Sequence, residues 1–426
     1  MLKIPPHETF FWGAFFFLLG TLTASATIGF TALSLRLTYI SIATALALTA
    51  AYALKKPYAP LALALLFGGA YCITYDLHRQ STLLSLNREM KIEDIITQAE
   101  QHLNYQELRL TNGIRIHTDK YPLFAYGDRI TLTGTITKSK SPLIHGYVSA
   151  YRTNIRVINR HEGNFIKEKL YWIKSAFENN LKKVLPTEKA AFLSGLTMGS
   201  TAEFTKNFLA DLRASGTTHL VALSGSNVSY IIQALMFALT WILPRKKTFW
   251  PALTAITIFV IMTGAEASLV RAAIMNGIVL AGSHYERADN MRNAIIAAAF
   301  VMALWNPLVP AFDLGFQLSF AAILGMVYLK PIIEKYSPWK NEHLMAGISA
   351  HAGVMPVLAI AVGRVNLFSI IPNMLVAAAI PYTVGLGFLA GTLGFASKTL
   401  SFAPAWLANI LLSYEMGVIR IFARFM

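Results

Sequence analysis

Long apolar segments alternate with short charged loops over most of the chain, and this pattern predicts membrane-spanning helices. Three of these segments lie near the N-terminus, at Phe10–Leu35, Ile40–Leu54 and Leu61–Tyr75. Later ones include Phe249–Thr263 and Ala294–Trp305. The chain is therefore expected to be a polytopic α-helical integral membrane protein.

One apolar run, Leu367–Phe395, is too long for a single straight span and contains Pro372, Asn373 and Pro381. Because proline interrupts a helix, we expect a kink or a re-entrant turn in this run. Its fold also decides the side of the C-terminus. Strict alternation of spans places the C-terminus outside, whereas the terminal arginines favour the cytoplasm.

Between residues 76 and 161 the pattern changes from apolar runs to short alternating stretches. Helical spacing around Glu89–Leu103 is followed by alternation of period two, with turn residues at Asn112-Gly113 and Tyr126-Gly127-Asp128. About five short antiparallel strands fit this length. The pattern predicts a small inserted β-barrel that is OB-fold-like.

Residues 162–186 are predicted to form an amphipathic helix, because apolar residues recur at helical spacing over Phe165–Leu185 with lysines on the other faces. The helix is too charged to span a bilayer and is expected in the interface plane. Packing against the barrel or the helix bundle is the alternative. Further on, Ser200 and Glu203 have the spacing of a capping box, which predicts a helix start there.

The expected organisation therefore has four parts. They are N-terminal transmembrane helices (1–75), an OB-fold-like domain (76–161), an interfacial helix (162–186) and a transmembrane channel domain (187–426). Lysine and arginine at Lys3, Lys55-Lys56 and Arg245–Lys247 predict cytoplasmic loops, so the OB-fold-like domain should be extracytoplasmic.

Composition supports the membrane assignment, since 55% of the 426 residues are hydrophobic and 14% are charged. The net charge of +15 agrees with an excess of lysine and arginine in cytoplasmic loops. The single cysteine, Cys72, excludes an intrachain disulfide and a cysteine-based metal site. No metal or other cofactor is expected.

The inserted domain is basic, with nine basic and three acidic residues between Gln101 and His161, and tyrosines interleave with the charges. A basic groove with aromatic side chains is how oligonucleotide-binding barrels hold single strands. A solvated surface over core tyrosines is the alternative. The candidate DNA-binding residues are Arg109, Arg115, Arg129, Lys138, Lys140, Arg152 and Arg156.

Polar side chains also interrupt the apolar segments of the second half of the chain, near the predicted outer ends of successive spans. Polar groups that face lipid are costly, so such groups indicate a hydrophilic path between helices. Close packing of small residues is the alternative. The candidate path residues are His219, Ser224, Gly225, Ser226, Asn227, Glu266, Ser268, Arg271, Asp313, Gln317, Ser319 and Asn373.

Five motifs occur in order along the same region. They are Leu193-Ser-Gly-Leu196-xx-Gly199, Gly216-xx-His219-Leu-Val-Ala-Leu-Ser224-Gly225, Gly264-xxx-Ser268-xx-Arg271-Ala-xx-Met275, Gly315-Phe-Gln317-Leu-Ser319-Phe320 and Ile371-Pro-Asn373. Together they resemble the competence domain of ComEC-type DNA-internalisation channels. Residues 76–161 look like the extracellular OB-fold domain of that family.

The resemblance implies a multi-pass protein of the bacterial cytoplasmic (inner) membrane that carries one DNA strand into the cytoplasm during natural transformation. It implies that role for His219, Ser224, Gly225, Arg271, Gln317, Ser319 and Asn373. Asn227 stands where the family motif usually has histidine, so hydrogen bonding is kept and a titratable ring is lost.

The implied partners are single-stranded DNA, the lipid bilayer, a separate nuclease and other DNA-uptake proteins. Many relatives carry a C-terminal metallo-β-lactamase-like domain. The 426 residues of this sequence contain no His-x-His-x-Asp-His cluster. We therefore expect no nuclease within the chain and no enzymatic activity.

Two other functions remain open on the sequence alone. Ser224 and His219 suggest the nucleophile and base of an intramembrane serine hydrolase, although their spacing is poor for contact on one helix. Polar interruptions of apolar helices are also typical of small-molecule transporters.

Overall fold

The computed structural model describes most of the chain, with gaps. The described residues are 6–28, 45, 49, 58–82, 89–102, 105–135, 146–149, 155–218, 230–231, 244, 247–265, 267–284, 291–336, 342–362 and 369–425. The chain divides into one unit of Met1–Met90, Thr135–Tyr147 and Ile274–Gln317, and a second unit of Lys91–Gly134, Val148–Ala273 and Leu318–Met426.

Helices and one sheet make up the described residues. The helices are α1 (Pro6–Ser25), α2 (Tyr58–Thr82), α3 (Phe165–Val184), α4 (Thr187–Met198), α5 (Lys206–Ala214), α6 (Phe249–Thr263), α7 (Ala267–His284), α8 (Met291–Trp305), α9 (Val309–Phe312), α10 (Leu314–Leu324), α11 (Lys330–Tyr336), α12 (Glu342–Val362), α13 (Ile370–Leu393) and α14 (Lys398–Phe425). The strands are β1 (Glu89–Gln101), β2 (Tyr105–Leu110), β3 (Ile114–Asp119), β4 (Arg129–Thr135), β5 (Gly146–Ser149) and β6 (Arg156–Asn159). A π-helical turn, Gly325–Leu329, joins α10 to α11.

Four described helical segments are long and apolar enough to cross a membrane. They are Leu61–Arg79, Leu314–Tyr336, Ile371–Leu393 and Lys398–Phe425. Shorter apolar helices accompany them, among them Phe249–Thr263, whose sequence-based bounds are confirmed. The architecture is that of a multi-pass membrane protein with a small antiparallel sheet. The expected span Ile40–Leu54 lies outside the described residues except for positions 45 and 49.

In the first unit, α2 continues to Thr82 and so passes through the domain boundary expected after Tyr75. Asp76 is buried within this helix. Helix α1 packs along α2, where Phe16 and Leu65 form a buried cluster. Near the other end of this pair, Ala24 and Cys72 pack in a second cluster.

The sheet has the order β5-β3-β2-β1-β4-β6, so β1 is a central strand. The expectation of a helix around Glu89–Leu103 was therefore wrong. Strand β1 carries a register shift between Ile96 and Gln98 where it pairs with β2. A bulge interrupts the period of two, so the apolar residues of β1 mimic helical spacing.

The described sheet contains six strands where about five were expected. Alternation in β2 and β3 is confirmed, because Leu108 and Ile116 face the core while Arg109 and Arg115 do not. The turn at Gly127 has a φ of 86°, and its backbone N–H donates to the carbonyl oxygen of Ile96 at 2.9 Å. The turn therefore packs against the central strand in a left-handed conformation, which glycine adopts without strain.

Helix α3 confirms the amphipathic prediction. Asn164 caps its start by accepting hydrogen bonds from Ile166 and Lys167. Phe177 and Leu181 are buried on the face that packs against α4, α6, α13 and α14. This face therefore packs against the helix bundle, which was one of the predicted alternatives.

The capping box expected at Ser200 and Glu203 was wrong. Helix α5 begins at Lys206, and the Thr205 hydroxyl accepts a hydrogen bond from the Phe208 amide at 3.2 Å. Ser200 instead donates to Glu178, and Glu203 forms an ion pair with Lys182. Both side chains bind the preceding amphipathic helix, so neither is available to cap α5.

The long apolar run forms one helix, so the re-entrant alternative was wrong. Helix α13 is continuous from Ile370 to Leu393, so Pro372 lies in its first turn and Pro381 lies inside it. A proline in the first turn has no intrahelical N–H partner to lose, which explains why no re-entrant break occurs there. The helix is about 36 Å long and suffices for one crossing.

Candidate functional site

The predicted path residues divide into those that the structure describes and those that it does not. The side chains of Arg271, Asp313, Gln317, Ser319 and Asn373 are described, and Ser268 is described as a backbone position in α7. The others lie outside the described residues, namely His219, Ser224, Gly225, Ser226, Asn227 and Glu266. The spacing of Glu266 and Arg271 in the sequence also allows an ion pair, and this stays a prediction because Glu266 lies outside the described residues.

Arg271 is the most deeply buried of these polar side chains. It is 3% exposed and lies about one helical turn into α7, between buried neighbours Leu269 and Ala272. Its guanidinium carbon is 5.7 Å from the centroid of the Phe320 ring. The cation is thus retained inside the protein, where an aromatic face stabilises it. Residues from two different sequence motifs meet in this contact.

Gln317 and Asp313 have local structural partners. The side-chain nitrogen of Gln317 donates to the carbonyl oxygens of Pro310 at 3.2 Å and Ala311 at 2.7 Å. These bonds use both amide protons of Gln317. Asp313 caps α10, because its Oδ1 accepts a hydrogen bond from the Phe316 amide at 3.0 Å. Both residues therefore hold the corner between α9 and α10.

The second and fifth motifs meet at the end of α5. Gly216 has a φ of 69°, and the amides of Gly216 and Thr217 bond back to Arg213 and Leu212, a Schellman ending. A methyl group on Gly216 would lie 2.6 Å from Cβ of Ser369. Only glycine therefore fits both the conformation and the space.

Asn373 adds a polar contact to the same corner. Its Nδ2 lies 3.5 Å from the Gly216 carbonyl oxygen, a long hydrogen bond. Its Oδ1 is buried and has no hydrogen-bond partner among the described residues. Asn373 and Ser369 therefore both contact the glycine that ends α5.

On the sheet, two of the predicted DNA-binding arginines are paired with acids. Arg115 lies 2.8 Å from Glu107, and Arg129 lies 2.5 Å from Glu162. Hydrogen bonds from Asn159 and Arg129 lower the pKa of the Glu162 carboxyl below its ordinary value, so that carboxylate stays charged beside Arg129. These pairs reduce the positive charge available to a polyanion.

The remaining predicted residues of the domain have mixed positions. Arg156 is exposed on β6, whereas Arg109 is half-buried opposite Arg115. Lys138, Lys140 and Arg152 lie outside the described residues. Inclusion of β1 changes the charge balance, because residues 89–161 carry ten basic and seven acidic residues. The folded domain is less basic than the residues after Gln101 alone.

Sequence reasoning missed a buried carboxyl in the last described candidate span. Glu415 of α14 is fully buried, and its Oε1 accepts a hydrogen bond from the Thr383 hydroxyl of α13 at 2.6 Å. A single acid inside an apolar run is the signal that was available. The relation of Glu415 to Thr383 depends on how the two helices face each other, which the sequence does not contain.

Comparison with known proteins agrees with the motif resemblance. The family model for Competence protein matches residues 196–426. ComE operon protein 3 of Bacillus subtilis (strain 168) is 26% identical over 274 residues, which cover 62% of this chain and 35% of that relative. The chain thus aligns with about a third of the length of this relative. No solved structure matches. The chain belongs to the competence protein family, and the predicted ComEC-type resemblance is confirmed.

Proposed function

We propose that this chain is a membrane channel that passes a single strand of DNA into the cytoplasm during natural transformation. The observation that carries the proposal is the contact between Arg271 and Phe320, which joins two family motifs around a buried cation. Membership of the competence protein family supports the same conclusion.

The chemistry of DNA explains why a buried arginine suits this function. Each phosphate must lose part of its hydration in a membrane pore, and a guanidinium replaces that hydration with a planar pair of donors. The Phe320 face stabilises the cation through a cation–π contact. The guanidinium of Arg271 would supply these donors in the proposed path. The function proposed is transport and includes no covalent step.

We assign the finer architecture on the same basis. The sheet is placed outside the cytoplasm as an OB-fold-like barrel that receives single-stranded DNA, and the channel follows in residues 187–426. Exposed arginines such as Arg156 would attract the strand. The path then continues through the described residues Arg271 and Asn373 and through positions 219–227.

Helix α3 is assigned to the membrane interface by its outer face. Phe165, Ile166 and Trp172 are exposed by 64% to 69%, although the opposite face is buried. The ammonium group of Lys169 lies over the Phe165 ring at 5.4 Å. Apolar and aromatic side chains beside lysines are typical of a helix that rests among lipid headgroups.

The proposal is tested by uptake of fluorescent DNA into cells that lack the endogenous channel and express this chain. Arg271→Gln should reduce uptake strongly at equal membrane abundance. Arg292→Gln is the matched control, since Arg292 also lies over an aromatic ring, that of Phe11 at 3.6 Å. No DNA uptake by the wild-type chain with its native partner proteins present would reject the function and favour a small-molecule transporter.

A further inference from the structure

The turn between α6 and α7 carries two consecutive residues in the left-handed backbone region. Gly264 has a φ of 96° and Ala265 has a φ of 54°. Their amides bond back to Ile261 at 3.2 Å and Val260 at 2.9 Å, so α6 ends in a Schellman motif. Glycine adopts this conformation freely, but alanine rarely does.

This strained turn directly precedes a motif of the proposed channel. Such residues persist where surrounding structure holds them, and they concentrate at functional sites. The turn opens the motif that contains Ser268 and Arg271, and helix α7 begins at Ala267 directly after it. The direction of α7, and hence the place of the Arg271 guanidinium, depends on the turn.

One side chain from the sheet packs over the turn. A methyl group on Gly264 would lie 3.1 Å from Nε2, 3.7 Å from Cδ and 3.9 Å from Oε1 of Gln98. The amide plane of Gln98 therefore covers the glycine. Among the described residues, all three of the nearest atoms belong to Gln98.

The sheet holds Gln98 in this orientation. Gln98 follows the register shift of β1, and a bulge turns a side chain away from the regular alternation. Its Nε2 also donates to Oε1 of Glu100 at 2.7 Å, which fixes the rotation of the amide. The register shift and the hydrogen bond to Glu100 thus direct the amide of a central strand to the α6–α7 turn.

We propose that Gln98 is a positioning residue for DNA passage, which acts by holding the Gly264–Ala265 turn in its left-handed conformation. Gln98 does not contact DNA in this account. It acts through the turn on α7 and therefore on Arg271, so the sheet sets the geometry of the channel motif. The inference rests on the proposed function, because DNA uptake is the activity that it modifies.

The test compares Gln98→Met with Gln101→Met in the full chain. Methionine keeps the length of the side chain and removes the amide, and Gln101 is an exposed glutamine of the same strand. We expect Gln98→Met to lower DNA uptake about tenfold at equal membrane abundance, within the range of mutations that alter coupling between sites. Gln101→Met should match the wild type.

A second arm asks whether Gln98 acts through the turn. Ala265→Gly removes the strain, so the turn should persist without the Gln98 amide, and the defect of Gln98→Met should shrink to within about twofold in that background. An equal defect in both backgrounds, or full uptake by Gln98→Met, would overturn the proposal.

A third arm covers the case in which Gln98→Met fails to accumulate. Asparagine tolerates the left-handed region and valine does not, so Ala265→Asn should retain uptake that Ala265→Val loses. Equal uptake by these two variants would also overturn the proposal. Failure of the wild-type chain to take up DNA would instead reject the proposed function itself, so the two failures are distinguishable.

Discussion

Arg271 lies with its guanidinium carbon 5.7 Å from the centroid of the Phe320 ring, although 49 positions separate the two residues in the chain. The ring gives the guanidinium a stabilising cation–π contact. Its neighbours Leu269 and Ala272 are buried. The contact therefore joins the motif at the start of α7 to the motif in α10.

This contact predicts different effects for two substitutions of Arg271. Arg271→Lys keeps the charge but loses the planar fork, whereas Arg271→Gln loses both. If Arg271 contacts phosphate, both variants should accumulate normally, and labelled DNA uptake should fall further for Gln than for Lys. Phe320→Leu should have a smaller effect, since a cation–π contact contributes about 0.5–2 kcal/mol. Full uptake by an abundant Arg271→Gln protein would remove Arg271 from the path.

The Gly216 corner predicts a rescue. Gly216→Ala should reduce transformation, because the new methyl group would lie 2.6 Å from Cβ of Ser369. Ser369→Gly removes that atom and should restore part of the activity, with the remainder lost to the backbone strain of alanine at a φ of 69°. Gly385→Ala is the matched control, because no atom of the described residues lies within 4 Å of a methyl group there. Lack of any rescue would show that the Ser369 contact is not what excludes alanine.

The local sequence pattern was sufficient to predict an element whose hydrophobic pattern is regular from end to end. The span Phe249–Thr263 has the bounds that its apolar run predicts. Strand β1 was missed because its bulge disrupts alternation, and a bulge depends on pairing with β2. Likewise Thr205, not Ser200, caps α5, because tertiary contacts occupy Ser200.

For the candidate site too, the sequence identified residues but not the contacts between them. Motif order identified Arg271 and Asn373, but their contacts with Phe320 and Gly216 depend on helix packing. The motifs predict that Gln317 lines the path, and its contacts with the carbonyl oxygens of α9 were not predictable from them. The position of a polar residue along an apolar run predicts its depth in the membrane. It does not show whether the side chain faces a path or bonds to the backbone of a neighbouring helix.

The ion pairs of the sheet predict that removal of an acid will strengthen DNA binding. Glu107→Gln should free Arg115, now 2.8 Å from that carboxylate, and raise the affinity of the full-length protein for a single-stranded oligonucleotide several-fold at low salt. The salt dependence should steepen by about one unit. Fluorescence anisotropy measures both quantities. Glu203→Gln is the control, because it frees Lys182 on a helix outside the sheet, and an equal gain there would mean that binding is non-specific.

The placement of lysine and arginine predicts the side of the sheet. Leu123 is 49% exposed in the loop before Gly127, so Leu123→Cys should react with an impermeant maleimide in intact cells. Cys72→Ser removes the native thiol, which is buried. Labelling that requires lysis would place the sheet in the cytoplasm and reverse the orientation of the channel.

The pair of Thr383 and Glu415 predicts coupled effects on stability. Glu415 is fully buried between α13 and α14, and the Thr383 hydroxyl donates to its Oε1 at 2.6 Å. Thr383→Val removes the donor and should lower the unfolding free energy in detergent by about 1 kcal/mol, as for other hydrogen bonds between membrane helices. Glu415→Gln keeps the acceptor and the shape, so it should cost less.

The double variant decides whether the two residues act as one contact. If they do, Thr383→Val should cost more in the wild type than beside Glu415→Leu, where no acceptor remains. Thr392→Val is the control for loss of a threonine from the same helix, since the Thr392 hydroxyl is exposed and bonds only within its own helix among the described residues. Additive losses would mean that Thr383 and Glu415 contribute independently, and the buried carboxyl would then need another group to hold α14 against α13.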